Sequence, residues 1–75
     1  MSFSERISIE PAVRNGKPCI KGTRIAVYDI LEYLAGGMSE EAILRDFPNL
    51  AHEDIVATLE FAAARERRLS APPAA

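Results

Sequence analysis

The spacing of apolar residues changes from strand-like to helix-like near residue 27, and this change constrains the fold more than any other feature of the sequence. Residues 6–10, RISIE, alternate between polar and apolar, which is typical of a short β-strand with Ile7 and Ile9 on one face. From Val27 onward, apolar residues recur at intervals of three and four, which is typical of a helix with one buried stripe. The sequence therefore predicts a β-arm over residues 6–27, followed by helices.

Glycine and proline residues divide both parts into short segments. The Asn-Gly pair at 15–16 is a strong turn signal because both residues tolerate positive φ, and Gly22 predicts a second bend. The glycine pair at 36–37 is expected to end the first helix in a left-handed turn, and Pro48 should end the second. We therefore expect two or three short strands and then three helices.

The second and third helices differ in their expected N-caps. Ser39 can accept a free backbone N–H at the start of the second helix, whereas Ala51, the expected cap of the third, cannot. A serine or threonine at position 51 should therefore stabilise the protein by about 1 kcal/mol. The residues expected on the buried face of the third helix are Ile55, Val56, Leu59, Ala62 and Ala63.

Three short helices with a tight corner between the second and third predict a helix-turn-helix shape. The expected fold class is mainly α, with a three-helix core over residues 27–68 preceded by the β-arm. We assign residues 1–69 to a single domain. Residues 70–75 should form a flexible tail, because the sequence shows no apolar periodicity there.

The small size of the chain limits how it can be stabilised. A chain of 75 residues buries only about 60% of the surface that its unfolded form exposes, so its own core is marginal. With one cysteine, Cys19, and one histidine, His52, it can form neither an internal disulfide nor a structural zinc site. We therefore expect a homodimer, and neither metal nor cofactor. The isoleucines that need a cover, and that favour a sheet shared between two chains, are Ile7, Ile9, Ile20 and Ile25.

The composition predicts a chain that folds. Hydrophobic residues make up 48% of the sequence and charged residues 27%, which favours a folded domain over disorder. No apolar run follows a basic start, and no segment is long and apolar enough to span a membrane. These observations predict a cytoplasmic protein without a membrane partner.

The net charge of −2 conceals a strongly uneven distribution. Residues 13–24 contain four cations and no acid, whereas residues 25–59 have a net charge of −6. The stretch GKPCIKGTR at 16–24 has the composition of a phosphate loop, but no lysine and hydroxyl directly follow its second glycine on the way into a helix. We therefore interpret it as a shaped basic arm, whose charges bear on partners rather than on the fold.

Residues 6–64 resemble the family catalogued as domain of unknown function 433. The most specific parts are GKP at 16–18 and GTRI at 22–25, supported by GGMSEEAILRDFPNL at 36–50. Ala51 and His52 depart from the resemblance, because the family tends to have a hydroxyl cap and then a proline there. The resemblance implies a homeodomain-like core with an N-terminal β-arm, often dimeric, and an antitoxin that acts beside a PIN-like ribonuclease.

An antitoxin of this kind would have two macromolecular partners, the ribonuclease and its own operator DNA. The cations expected near DNA phosphates are Lys17, Lys21, Arg24 and Arg45. The usual base-reading positions of a third helix are here His52, Glu53, Asp54, Ala57 and Thr58. Because two of these are acids, we expect the β-arm rather than the third helix to lead any DNA binding.

The arginines near the end of the third helix have two interpretations. A PIN-like nuclease site is a cluster of metal-binding carboxylates, which an arginine could occupy with two parallel hydrogen bonds. The alternative, which charge alone favours, is that these arginines complement the negative end of the helix. The residues concerned are Arg65, Arg67 and Arg68.

A protein-interaction module and an enzyme are the two alternatives to the antitoxin. The acidic span from Asp29 to Asp54 favours a protein-interaction module with no role in DNA binding. An enzyme is not expected, and no catalytic residue is assigned. Asp29 and Glu32 lie one helical turn apart, but such pairs usually form a solvated face, and no serine or cysteine adjoins His52 in the sequence.

Overall fold

A computed structural model describes residues 5–69 and shows a two-stranded sheet followed by three helices. The elements are β1 (Ile7–Ser8), β2 (Cys19–Ile20), α1 (Val27–Ala35), α2 (Glu40–Asp46) and α3 (His52–Leu69). This mainly helical architecture with an N-terminal β-arm confirms the predicted fold class. The tail expected at 70–75 lies outside the described residues. No helix within residues 5–69 is long and apolar enough to cross a membrane.

The β-arm is a short antiparallel pair that folds back onto the start of α1. Ile7 pairs with Ile20 and Ser8 with Cys19, and an isolated bridge then joins Cys19 to Ala26. The predicted strand RISIE is shorter than expected, because only its Ile7 and Ser8 are paired. The expectation that Ile9 shares the environment of Ile7 is therefore wrong: Ile7 is 8% exposed and Ile9 is 60% exposed.

The predicted turn at residues 15–16 is present and extends one residue further back. Arg14, Asn15 and Gly16 all have positive φ, at 51°, 58° and 81°. Asparagine and glycine adopt this left-handed conformation at low cost, but arginine does not. The Arg14 backbone is therefore held there by other contacts, and its guanidinium donates hydrogen bonds to Asp29 and to the Arg24 carbonyl.

The first two helices begin and end as their sequences predict. Gly37 has φ +100° after α1, and its N–H donates to Leu34 while the N–H of Met38 donates to Tyr33. These two bonds satisfy the last carbonyl groups of α1 in a Schellman motif. At the start of α2 the Ser39 hydroxyl accepts the Ala42 N–H at 3.1 Å, which confirms the predicted cap.

The third helix begins at His52 as expected, but it is rotated relative to the predicted buried face. Ile55 is buried, whereas Val56 is 38% exposed, Leu59 is 49% exposed and Ala63 is also exposed. The predicted face is wrong for these three residues because two polar residues, Asp54 and Thr58, point inward instead. Apolar periodicity could not reveal this rotation.

Side chains from the arm and from all three helices meet in one core. The buried members are Ile7, Ile20, Val27, Ile30, Ile43, Leu50, Ile55 and Ala57. The rings of Tyr33 and Phe47 stack beside them with centroids 5.5 Å apart, which joins α1 to the end of α2. The isoleucines of both strands are thus covered by helices of the same chain. Their burial does not require a second chain, and the homodimer stays a prediction.

Candidate interaction groove

The start of α3 is joined to the β-arm by a buried carboxylate. Asp54 accepts the Ala51 N–H at 2.8 Å with one oxygen and the Arg6 guanidinium at 2.9 Å with the other. Ala51 has no side-chain oxygen to accept the first N–H groups of α3, so Asp54 makes only the reciprocal half of a capping box, in which the third helical residue accepts the N–H of the N-cap. The exposed fraction of the Asp54 side chain is 8%, and the pairing with Arg6 offsets the cost of removing its charge from water. This contact fixes the rotation of α3.

The start of α1 is joined to the arm in the same way. Asp29 accepts the Ala26 N–H at 3.1 Å and the Arg14 guanidinium at 2.9 Å. Burial alone would raise the pKa of Asp29, but the hydrogen bonds from Arg14 and Ala26 and the arginine charge outweigh it and lower this pKa. The same hydrogen bond, with the charge of Asp29, raises the pKa of Arg14. This contact holds the turn at residues 14–16 against α1.

An open groove of about 670 Å³ lies between that turn, the start of α1 and the second half of α3. The buried residues of α3 all fall in its first half, so the last turns of this helix extend past the core. The apolar residues that line the groove are Pro18, Ala26, Val27, Tyr28, Leu31, Phe61, Ala62 and Leu69. Tyr28 is 61% exposed and Leu69 is 74% exposed. Large apolar side chains are therefore left in water on this side of the molecule.

The polar side chains of the groove carry a net positive charge. Lys17 and the neutral Asn15 lie on the turn side, and Arg65 and one acid, Glu66, lie on α3. Lys17 and Arg65 were predicted for two different functions, DNA binding and toxin binding, and the fold brings them to one site. We call this site, defined by the lining residues above with Lys17, Arg65 and Glu66, the α1–α3 groove.

The four cations proposed for DNA binding are all exposed but do not form one site. Lys17 lines the α1–α3 groove, whereas Lys21 lines a separate cavity together with Glu5, Arg6 and Asp54. Arg24 is exposed in the loop before α1, and Arg45 is exposed in the last turn of α2. Within residues 5–69 none of these four side chains forms an ion pair. Their charges lie on separate parts of the molecule, three on the arm and one on α2.

The usual base-reading positions of α3 are largely inaccessible. Asp54 is 6% exposed, Ala57 2% and Thr58 0%. His52 and Glu53 are exposed, and the imidazole Nδ1 of His52 contacts a carboxylate oxygen of Glu40. This hydrogen bond and the charge of Glu40 raise the pKa of His52. A helix presenting these residues has little with which to read a base edge.

The three arginines near the end of α3 are exposed, and they do not all face one way. A helix turns by about 100° per residue, so Arg65 and Arg68 lie within one turn of each other on neighbouring sides, while Arg67 lies on another side. Arg65 lines the α1–α3 groove. The sequence pattern identified the cluster but not this division.

Sequence reasoning missed the apolar part of the groove. The sequence pattern assigns no binding role to Tyr28, and it places Leu69 at the end of the domain without a partner. A usable signal was present, since Tyr28 lies beside the apolar stripe of α1 and three residues before Leu31, a member of that stripe. The position of the turn at 15–18 against α3 is tertiary, and no local pattern reports it.

These features define the chain as a small three-helix domain whose β-arm and α3 frame an open, largely apolar groove. The family model described as "Protein of unknown function (DUF433)" matches residues 7–62. The chain therefore belongs to this family, as the sequence resemblance predicted.

Two relatives extend the comparison. The "Uncharacterized protein y4eO" of Sinorhizobium fredii (strain NBRC 101917 / NGR234) is 37% identical over 51 residues, covering 68% of this chain and 23% of the relative. A crystal structure of a DUF433 member protein from Anabaena variabilis ATCC 29413 is 28% identical, with a TM-score of 0.79, covering 87% of this chain and 64% of that one. The chain thus spans about a quarter of the first relative and under two thirds of the second.

Proposed function

We propose that this chain is an antitoxin that binds and inhibits a PIN-like ribonuclease by protein–protein contact. The observation that carries the proposal is the α1–α3 groove, an exposed apolar surface that Arg65 borders and that lies beside the arginines at the end of α3. Apolar surface ringed by charge is the usual mark of a protein-binding site. The sequence resemblance supplies the class of partner.

The arginines of α3 have a clear chemical use against such a partner. A cluster of metal-binding carboxylates attracts a guanidinium, which can bind one carboxylate through two parallel N–H groups. Arg65 lines the groove, and Arg68 lies about 60° from Arg65 around the axis of α3, whereas Arg67 lies about 160° from it. On this proposal Arg65 and Arg68 contact the ribonuclease, and Arg67 complements the helix end.

The test pairs the full chain with the PIN-like ribonuclease that this proposal expects in the adjacent reading frame. RNA cleavage by the purified enzyme is measured with increasing amounts of the chain, and we expect complete inhibition near equimolar ratio. Replacement of Arg65 or Arg68 by alanine should weaken inhibition, whereas Arg67→Ala is the matched control. A chain truncated after Ala64 should not inhibit, provided that circular dichroism shows it folded. Full inhibition by a folded, truncated chain would refute the role of these arginines, and no inhibition by the full chain would refute the proposal.

A second candidate function is binding of operator DNA by the cations of the arm and α2. It is favoured by the exposure of Lys21, Arg24 and Arg45 without ion pairs in the described part of the chain. Phosphate contacts make affinity fall steeply with salt. Fluorescence titration with operator and random DNA at two salt concentrations should show that fall, and alanine at Lys21 and Arg24 should reduce its slope. Binding that is absent or indifferent to salt would leave a protein-interaction module with no role at DNA.

A further inference from the structure

We infer that the α1–α3 groove receives an amphipathic α-helix of the partner, with an acidic side chain of that helix facing Lys17 and Arg65. The inference rests on the proposed function and names the kind of element through which the ribonuclease is bound. It follows from the apolar lining of the groove, the hydrogen bonds of its backbone and the charge at its rim.

The backbone around the groove has few free N–H donors to offer an extended peptide. The N–H groups of Gly16, Lys17 and Val27 already donate to carbonyl groups of the chain, and that of Ala26 donates to Asp29. Pro18 has no N–H. An extended peptide binds by adding a strand to free backbone donors and acceptors, whereas a helix satisfies its own backbone and needs only an apolar trough. The groove therefore suits a helix.

The apolar surface is also too open for a small ligand. Pockets for small molecules bury most of their ligand's surface. Here Tyr28 and Leu69 stand 61% and 74% exposed at the site, so a small molecule between them would stay largely in water. A helix that lays side chains at positions i, i+3, i+4 and i+7 into the groove would cover both residues. The occupant with the larger contact area is favoured.

The rim charges specify the polar edge of that helix. Lys17 and Arg65 together outweigh Glu66 at the site. Complementary charge across an interface fixes orientation and disfavours wrong partners. A glutamate or aspartate beside the apolar stripe of the incoming helix would pair with these cations, whereas a lysine there would be repelled.

The experiment measures the affinity of the full chain for the ribonuclease, using variants matched for exposure. Alanine at Tyr28 or Leu69 should each raise the Kd by about tenfold, because both lose large apolar contacts. Leu59→Ala is the control, because Leu59 is 49% exposed but does not line the groove. Arg65→Glu should weaken binding further than Arg65→Ala. Thermal unfolding followed by circular dichroism verifies that each variant is folded.

A photo-crosslinking amino acid at position 28 or 69 identifies the bound element. Crosslinks that fall on ribonuclease residues spaced by three or four, with an acid beside them, would support the inference. An acid-to-lysine change at that residue should restore binding to Arg65→Glu. If the ribonuclease is inhibited but the groove variants bind as tightly as the parent, or the crosslinks reach an extended segment or a second copy of this chain, the helix inference is wrong while the proposed function stands. If the parent chain neither binds nor inhibits, the proposed function fails, and the inference fails with it.

Discussion

Two arginine–aspartate pairs join the β-arm to the helical core, and they differ in how deeply the aspartate is buried. At each helix start the N-cap is an alanine, and an aspartate three residues later accepts the N–H of that alanine. An arginine of the arm donates to the same aspartate. The arginines are almost equally exposed, at 30% for Arg6 and 31% for Arg14. The carboxylates differ, since the side chain of Asp54 is 8% exposed and that of Asp29 is 24% exposed.

Because of this difference in burial, we expect the Arg6–Asp54 pair to stabilise the fold and the Arg14–Asp29 pair to shape the surface of the groove. The Arg6–Asp54 pair joins the arm to the start of α3, and it holds Asp54 in the buried face of that helix. The Arg14–Asp29 pair holds the turn that leads to Lys17 and Pro18 on one wall of the α1–α3 groove. Loss of the first should affect stability, and loss of the second should also affect binding.

The largest effect is expected for Asp54→Ala. The change leaves the Ala51 N–H without its acceptor and removes a buried partner of Arg6, so we expect a loss of about 2–3 kcal/mol in the free energy of unfolding. Urea unfolding followed by circular dichroism measures it. Asp54→Asn keeps an acceptor for the N–H and should recover part of the loss. A cost no greater than that of Asp29→Ala would contradict the assigned difference in depth.

Asp29→Ala should cost about 1–2 kcal/mol, because its carboxylate is more exposed and water can replace part of its bonding. Its lowered pKa adds a pH dependence. A carboxylate with a lowered pKa contributes stability that is present above the unfolded value of about 3.9 and is lost as pH falls through the folded value. The stability difference between parent and variant should therefore shrink as pH falls below about 4. A difference that stays constant to pH 2 would show that the ion pair contributes nothing.

Local sequence preferences account for the helices and turns of the fold, but not for the rotation of α3. The three helices, the Ser39 cap and the turns at residues 15–16 and 36–37 follow from local preferences, and all are present. The inward rotation of α3 does not, because Asp54 becomes a buried residue only when Arg6, 48 positions earlier, meets it. Such a pair has no periodic signature. The cations of the groove were identified from charge alone, but their meeting at one site depends on the same long-range packing.

A smaller effect on stability is expected when either N-cap alanine is replaced by serine. Ala51 is exposed, so a serine hydroxyl there can accept an N–H of α3 without entering the core, and Ala51→Ser should stabilise by about 0.5–1 kcal/mol. Ala26 is 1% exposed. The same change there would bury a hydroxyl, so Ala26→Ser should bring no gain in the midpoint of urea unfolding. Equal stabilisation at both positions would mean that the alanines are interchangeable and that burial does not distinguish the two helix starts.

The smallest effect is expected at the exposed pair of His52 and Glu40, which joins the starts of α3 and α2 without help from the arm. Their hydrogen bond, and then the charge of Glu40, raise the pKa of His52. A histidine whose pKa is raised by folding contributes stability that is fully present below the unfolded value of about 6.5 and is lost as pH rises through the higher, folded value. The thermal midpoint of the parent should therefore fall as pH rises from about 6 to 8, and Glu40→Gln should flatten that fall.

Glu41→Gln is the matched control, because Glu41 is also in the first turn of α2 but does not contact His52. A profile that Glu40→Gln leaves unchanged would show that this contact does not persist in solution, and that the β-arm contacts alone fix the start of α3.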